Sequence, residues 1–162
     1  MQHDEVDGII DAWRRERPDV DSSPLEVLSR VTRLSHRLGA LRRQVFARHD
    51  LENWEFDVLA ALRRSGEPYA LSPGRLSTET LVTSGTMTNR IDRLAERSLV
   101  RRTPSRTDRR GVRVQLTPAG RDLVDAAFAD LVGVERAMLA DLSVQDREQL
   151  AQRLRALLIA LG

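Results

Sequence analysis

The stretch from Ser72 to Thr117 constrains the fold more than any other part of the chain. "SPGRLSTETL" opens with a serine followed by a proline, an N-cap and a residue preset for the first helical turn. "VTSGTMTNRIDRLAERSLVRR" continues with apolar residues at helical spacing. Two short helices so close together need a tight turn, which we place at Ser84 and Gly85, and the pair forms a helix-turn-helix. Next, "LVRRTP" and "GVRVQLT" flank the polar "SRTDRR" as two β-branched runs, which predicts a β-hairpin. Helix, turn, helix and hairpin in that order make a winged helix-turn-helix.

Both flanks read as helix. "DEVDGIIDAWRRER" is a short amphipathic helix that stops before Pro18, and "SSPLEVLSRVTRLSHRLGALRRQVFARHD" starts with Ser23 as N-cap and Pro24 at the first position. In the latter, Val27, Val31, Leu34, Leu38, Leu41 and Val45 alternate spacings of four and three, a seam built to pack along another helix. "NWEFDVLAALRRSG" is a third helix, with Asn53 as N-cap, Gly66 as its stop, and Trp54 and Phe56 as core residues. "EPYAL" reads as a loop. After the hairpin, Thr117 and Pro118 start another helix, and the Ser143 to Asp146 spacing starts the last. The expectation is a mainly α chain with a small β-hairpin: a winged helix-turn-helix over residues 51–117, within one domain of residues 1–162. The terminal helices, residues 1–50 and 118–162, are too apolar on one side to stand alone and should bury that side against a second copy of the chain.

Composition narrows the function. There is no cysteine, which excludes disulfides and zinc-thiolate sites, and His3, His36 and His49 lack metal-ligand spacing. No cofactor or metal is expected. No apolar run approaches the roughly 18 residues needed to span a bilayer, so no membrane partner is expected and the cytoplasm is the default location. The formal net charge is only +2, and all 26 basic residues are arginine. Their distribution matters more than their total: up to Glu26 eight acids face three arginines, whereas Leu99 to Arg113 carries six arginines and one acid. A local basic patch beside a helix-turn-helix is the electrostatic footprint of a polyanion binder, here double-stranded DNA.

On a helical wheel for residues 84–97, Met87, Ile91 and Leu94 share one stripe, which must face the core. Gly85, Asn89, Asp92, Arg93 and Glu96 then point away, with Thr86 and Thr88 on the flanks. A recognition helix presents its N-terminal residues to the base edges of the major groove. Ser84, Thr86, Thr88 and Asn89 are therefore the candidate groove contacts, with Arg93 reaching either a base or a phosphate. Arg90 lies beside the buried stripe, where a charge needs a partner.

These same residues carry a resemblance to the multiple-antibiotic-resistance regulator (MarR) family. "DRRGVRVQLTPAG" fits its wing, with Asp108, Arg110, Val114, Leu116, Thr117 and Gly120 in register, and "LSTETLVTSGTMTNRIDRLAERSLVRR" resembles the helix-turn-helix upstream. The resemblance implies a homodimeric transcriptional regulator that releases DNA when a small ligand binds. It assigns Arg110 at the wing tip to DNA and Asp108 to orienting that tip, with Arg106 and Arg109 as neighbouring phosphate contacts. The extra N-terminal helix carrying Trp13 resembles the urate-responsive subgroup. By position its ligand set maps onto Trp13, Asp57, Arg90 and Arg102, implying a small anionic aromatic effector such as urate. Taken alone, Trp13 reads first as a hydrophobic anchor packing the first helix on the dimer, and Asp57 with Arg90 as a structural ion pair.

The rival classes differ in testable ways. No Gly-rich phosphate loop, nucleophile elbow or Cys/His pair points to an enzyme. An architectural protein would bind unrelated duplexes alike, and a protein adaptor would not bind DNA in a salt-sensitive way.

Overall fold

The computed structural model describes residues 3–104 and 111–162. It contains α1 (Glu5–Glu16), α2 (Leu25–Ala47), α3 (Asn53–Arg64), β1 (Ala70–Leu71), α4 (Pro73–Glu79), α5 (Ser84–Glu96), β2 (Val100–Pro104), β3 (Val112–Leu116), α6 (Pro118–Met138) and α7 (Val144–Ala160). Two compact units divide the chain, residues 1–44 and 45–162.

In the first unit α1 begins at Asp4, whose carboxylate accepts from the Val6 and Asp7 backbone N–H groups. Arg30 on α2 donates to Asp4 and Asp7 at 2.7–3.1 Å, and Arg33 and Arg37 both reach Glu5. Acids on α1 and arginines on α2 thus lace the two helices together, which gives the acids of the N-terminal segment their partners. Hydrogen bonding to Arg30 is the main cause that lowers the Asp4 pKa to about 2. The expected Pro24 start moves by one residue, with α2 beginning at Leu25 after a turn. The α2 seam is only partly covered: Val27 and Leu34 remain exposed, while Val45 is buried.

The second unit holds the winged helix-turn-helix. Its core joins Val45, Phe46, Phe56, Val58, Leu59 and Leu62 to Leu76, Met87, Ile91, Leu94, Val114 and Val124, and Phe46 stacks on Phe56 at 4.1 Å. The expected two-stranded hairpin is a three-stranded antiparallel sheet, in the order β1-β3-β2. The missing strand lies in the "EPYAL" loop, where Ala70 and Leu71 pair with Gln115 and Val114. Two residues are too few to show a period, and the strand exists because β3 offers a second edge. Arg113 fastens it by donating to the Ala70 carbonyl.

Caps set most boundaries. Ser72, Thr117 and Ser143 each accept a backbone N–H in the first turn of the helix that follows, as read from the sequence. α3 ends at Arg64 with Gly66 just beyond at φ +74°, a left-handed position that suits glycine. One cap and one turn differ from expectation. Glu52, not Asn53, is the N-cap of α3, because the Glu55 carboxylate reaches back to accept the Glu52 N–H at 2.9 Å. Thr83, not a turn at Ser84 and Gly85, precedes α5: its hydroxyl oxygen caps the Thr86 N–H, so Ser84 and Gly85 already belong to the helix. The turn itself runs through Leu81, at φ +55° and 91% exposed. α7 has no buried residue, and Leu150, Leu154, Leu158 and Ile159 on it are exposed.

Candidate nucleic-acid interface

Helix α5 sorts its residues by the wheel. Met87, Ile91 and Leu94 are at most 1% exposed, whereas Ser84, Gly85, Thr86, Thr88, Asn89 and Arg93 face solvent. Packing of the buried stripe fixes the rotation of the helix, and with it the set of groups it presents. The chemistry of those groups is partly committed. Thr88 donates its hydroxyl to the Ser84 carbonyl at 3.0 Å, which leaves its methyl group and its acceptor lone pairs for a partner. The Thr86 and Thr83 hydroxyls share a hydrogen bond at 3.0 Å.

Arg93 is held on two sides. Its guanidinium donates to Glu52 Oε1 at 2.8 Å and lies 4.7 Å from the centroid of the Trp54 ring. Arg90, one turn earlier on the same side of the helix, sits 5.4 Å from that same ring. Trp54 Nε1 in turn donates to Glu52 Oε2 at 2.7 Å. Trp54, expected as a core residue, is half-buried against the core and also forms a platform for the arginines of α5. The Trp54 N–H first, and Arg93 second, hold the Glu52 carboxyl below the usual carboxylate range.

Asp92 does not simply point to solvent. It accepts from Arg102 on β2 at 2.6 Å, both side chains being half-exposed, and so ties α5 to the wing strand. The far end of α5 is anchored by Arg97, which donates to both Glu55 oxygens at 2.8 Å and to the Asp50 carbonyl at 2.7 Å. Glu55 is 3% exposed. These partners lie about forty residues away along the chain, beyond the reach of any local spacing rule.

The expected ligand residues are divided between the two units. Trp13, in the first unit, is 51% exposed and borders a hollow of about 370 Å³ with Arg17, Val20, Ser22, Pro24 and Leu25. Asp57, Arg90 and Arg102 belong to the second unit, on α3, α5 and β2. The wing-tip residues Arg106, Asp108, Arg109 and Arg110 lie outside the described residues. Among the described residues no cluster of His, Cys, Asp and Glu could hold a metal ion, and no helix is long and apolar enough to cross a membrane.

Comparison with known proteins agrees with this geometry. Residues 49–111 match the family model described as MarR family. The HTH-type transcriptional regulator PecS of Dickeya dadantii is 38% identical over 146 residues, covering 90% of this chain and 88% of PecS. The HTH-type transcriptional repressor NicR of Pseudomonas putida is 28% identical over 150 residues, covering 86% and 89%. Among solved structures, Bordetella bronchiseptica BpsR, whose DNA binding is regulated by 6-hydroxynicotinic acid, superposes with a TM-score of 0.67 at 29% identity, covering 81% of this chain and 91% of BpsR. The identity to PecS over nearly the whole of both chains, the family match across the helix-turn-helix and the outward polar face of α5 lead to one conclusion: the chain belongs to the MarR family of transcriptional regulators.

Proposed function

We propose that the protein is a homodimeric repressor that lays α5 of each protomer in successive major grooves of a pseudo-palindromic operator and lets go when a small aromatic anion binds. The observation that carries this reading is the division of α5 into a buried apolar stripe and a solvent face of Ser84, Thr86, Thr88, Asn89 and Arg93. Asn89 supplies an amide able to pair with adenine, and the Thr88 methyl group suits a thymine. Arg110, Asp108, Arg106 and Arg109 give the wing its grip, as the family resemblance implies. The exposed leucines of α7 supply an apolar face for the second copy.

The effector has a physical route to the helix. An anion that draws Arg102 away from Asp92, or Arg90 away from the Trp54 ring, alters how α5 is held, and a shift of that helix trades DNA affinity for ligand affinity. Trp13 and Asp57 complete the proposed set. Urate is the first candidate, and the 6-hydroxynicotinic acid that regulates BpsR makes an aromatic carboxylate the second.

Replacing Arg93 by alanine should weaken operator binding by about 1–3 kcal/mol and relax the preference at the base pair it faces. Fluorescence anisotropy on a labelled operator checks this, and an unchanged affinity would refute the reading of α5. Adding urate or 6-hydroxynicotinate should change the tryptophan emission and release the labelled operator. If both compounds leave the emission and the complex unaltered, the proposed effector class is wrong.

A further inference from the structure

We propose that Glu52 and Trp54 are positioning residues that hold the α5 arginines away from non-specific phosphate contacts, so that the clamp raises operator selectivity at the expense of general DNA affinity. The inference rests on α5 being the groove-reading helix. One carboxylate does two jobs: Oε2 fixes the indole through Trp54 Nε1, and Oε1 takes the Arg93 guanidinium. The ring face then lies against both Arg93 and Arg90, which combines an ion pair with two cation-π contacts. The mount is itself braced, because Glu55 accepts the Glu52 backbone N–H and is gripped by Arg97 at the far end of α5.

Arg93 and Glu52 are each 58% exposed, so a DNA phosphate can approach Arg93 but must displace Glu52 to take it. On an unrelated duplex the gain is small, since a phosphate merely replaces a carboxylate. Where the groove offers a base edge within reach, a bidentate contact repays the exchange. Glu52 also places a negative charge beside the approaching backbone, which penalises every sequence and is offset only by specific contacts.

The test is Glu52→Gln, which keeps an acceptor for the indole N–H but removes the competing charge. Affinity for an unrelated duplex should rise roughly threefold or more, and the slope of log K against log salt should steepen by roughly 0.9 per protomer as one more counterion is released. The ratio of operator to unrelated affinity should fall. Trp54→Phe keeps a ring for the arginines but frees the carboxylate from the indole, and should move the same quantities in the same direction by less. Should Glu52→Gln destabilise the fold, as thermal melting would reveal, Trp54→Phe carries the test alone. An unchanged salt slope and selectivity, in variants that melt like the parent, would overturn the clamp. In the same assay, loss of operator affinity in Arg93→Ala shows that the reading of α5 stands even if the clamp falls.

Discussion

Replacing Gly120 by alanine is expected to destabilise the protein by about 3 kcal/mol, the upper end of what forced overpacking costs. A Cβ at this position would lie 2.0 Å from the Leu99 carbonyl oxygen and 3.0 Å from its carbon, with Leu116 Cδ2 at 3.2 Å. The first two are backbone atoms and cannot swing aside. They are also fixed from the other direction, since the Leu99 carbonyl accepts the Thr117 N–H, and the Thr117 hydroxyl, which donates to the Ser98 carbonyl at 2.8 Å with the Leu99 oxygen at 3.1 Å, caps the Gly120 N–H. The start of α6 is thereby bolted to the turn between α5 and β2, and an added methyl group must pry the two apart. Thermal melting should show a midpoint lower by about 10 °C for a chain of this length. Gly133→Ala is the control, because its Cβ would meet nothing within 4 Å. It should fall within about 1 kcal/mol of the parent, on the stabilising side, from helix propensity alone.

Arg97→Ala is expected to cost up to about 3 kcal/mol, the low end of the range for stripping one partner from a buried pair, because Glu55 is buried while Arg97 is a third exposed. Glu55 is 3% exposed and loses both contacts to the guanidinium in this variant. Glu55→Gln should cost less, because Arg97 is a third exposed and keeps Asp50. The double variant Arg97→Ala, Glu55→Gln should recover a large part of the loss, since no buried charge is then left without a counterion. Urea denaturation of the two single variants and the double measures this. Additive losses would show that the two side chains do not act as a pair. Because Arg97 closes the C-terminal end of α5, the single variant should also loosen the helix that faces DNA.

How much of this was legible in the residues follows from the distance over which each interaction acts. The α5 stripe of Met87, Ile91 and Leu94 and the caps at Ser72, Thr117 and Ser143 are local, so period and cap chemistry alone located them. The turn before α5 reads as Ser84 and Gly85, residues that also suit a turn, whereas the Thr83 hydroxyl caps the helix and draws both of them into its first turn. β1 was illegible because Ala70 and Leu71 pair only after β3 offers an edge. The Arg93–Glu52, Arg97–Glu55 and Arg102–Asp92 pairs join segments ten to more than forty residues apart, and no spacing rule connects them. Trp54 illustrates the limit: its apolar ring marks it as a residue for the core, against which it does pack, yet its N–H and its ring also serve Glu52 and two arginines.

Ion pairs within the site also bear on its electrostatics. Six arginines from Leu99 to Arg113 read as a uniform basic patch, but Arg102 is matched by Asp92 and Arg101 is occupied by Gln115. The Asp92 carboxylate offsets part of this charge, whereas Gln115 is neutral and leaves the charge of Arg101 in place, so the salt dependence of binding should count only the arginines that exchange partners for phosphate.

The most direct test of the central claim is the recovery of bound genomic fragments, followed by titration of the recovered duplex and a scrambled copy across a range of salt. A regulator of this design should enrich a pseudo-palindrome with half-sites about one helical turn apart, bind it roughly a thousandfold or more tighter than the scrambled duplex, and weaken steeply as salt rises. Equal affinity for both duplexes, or binding that ignores salt, would contradict it.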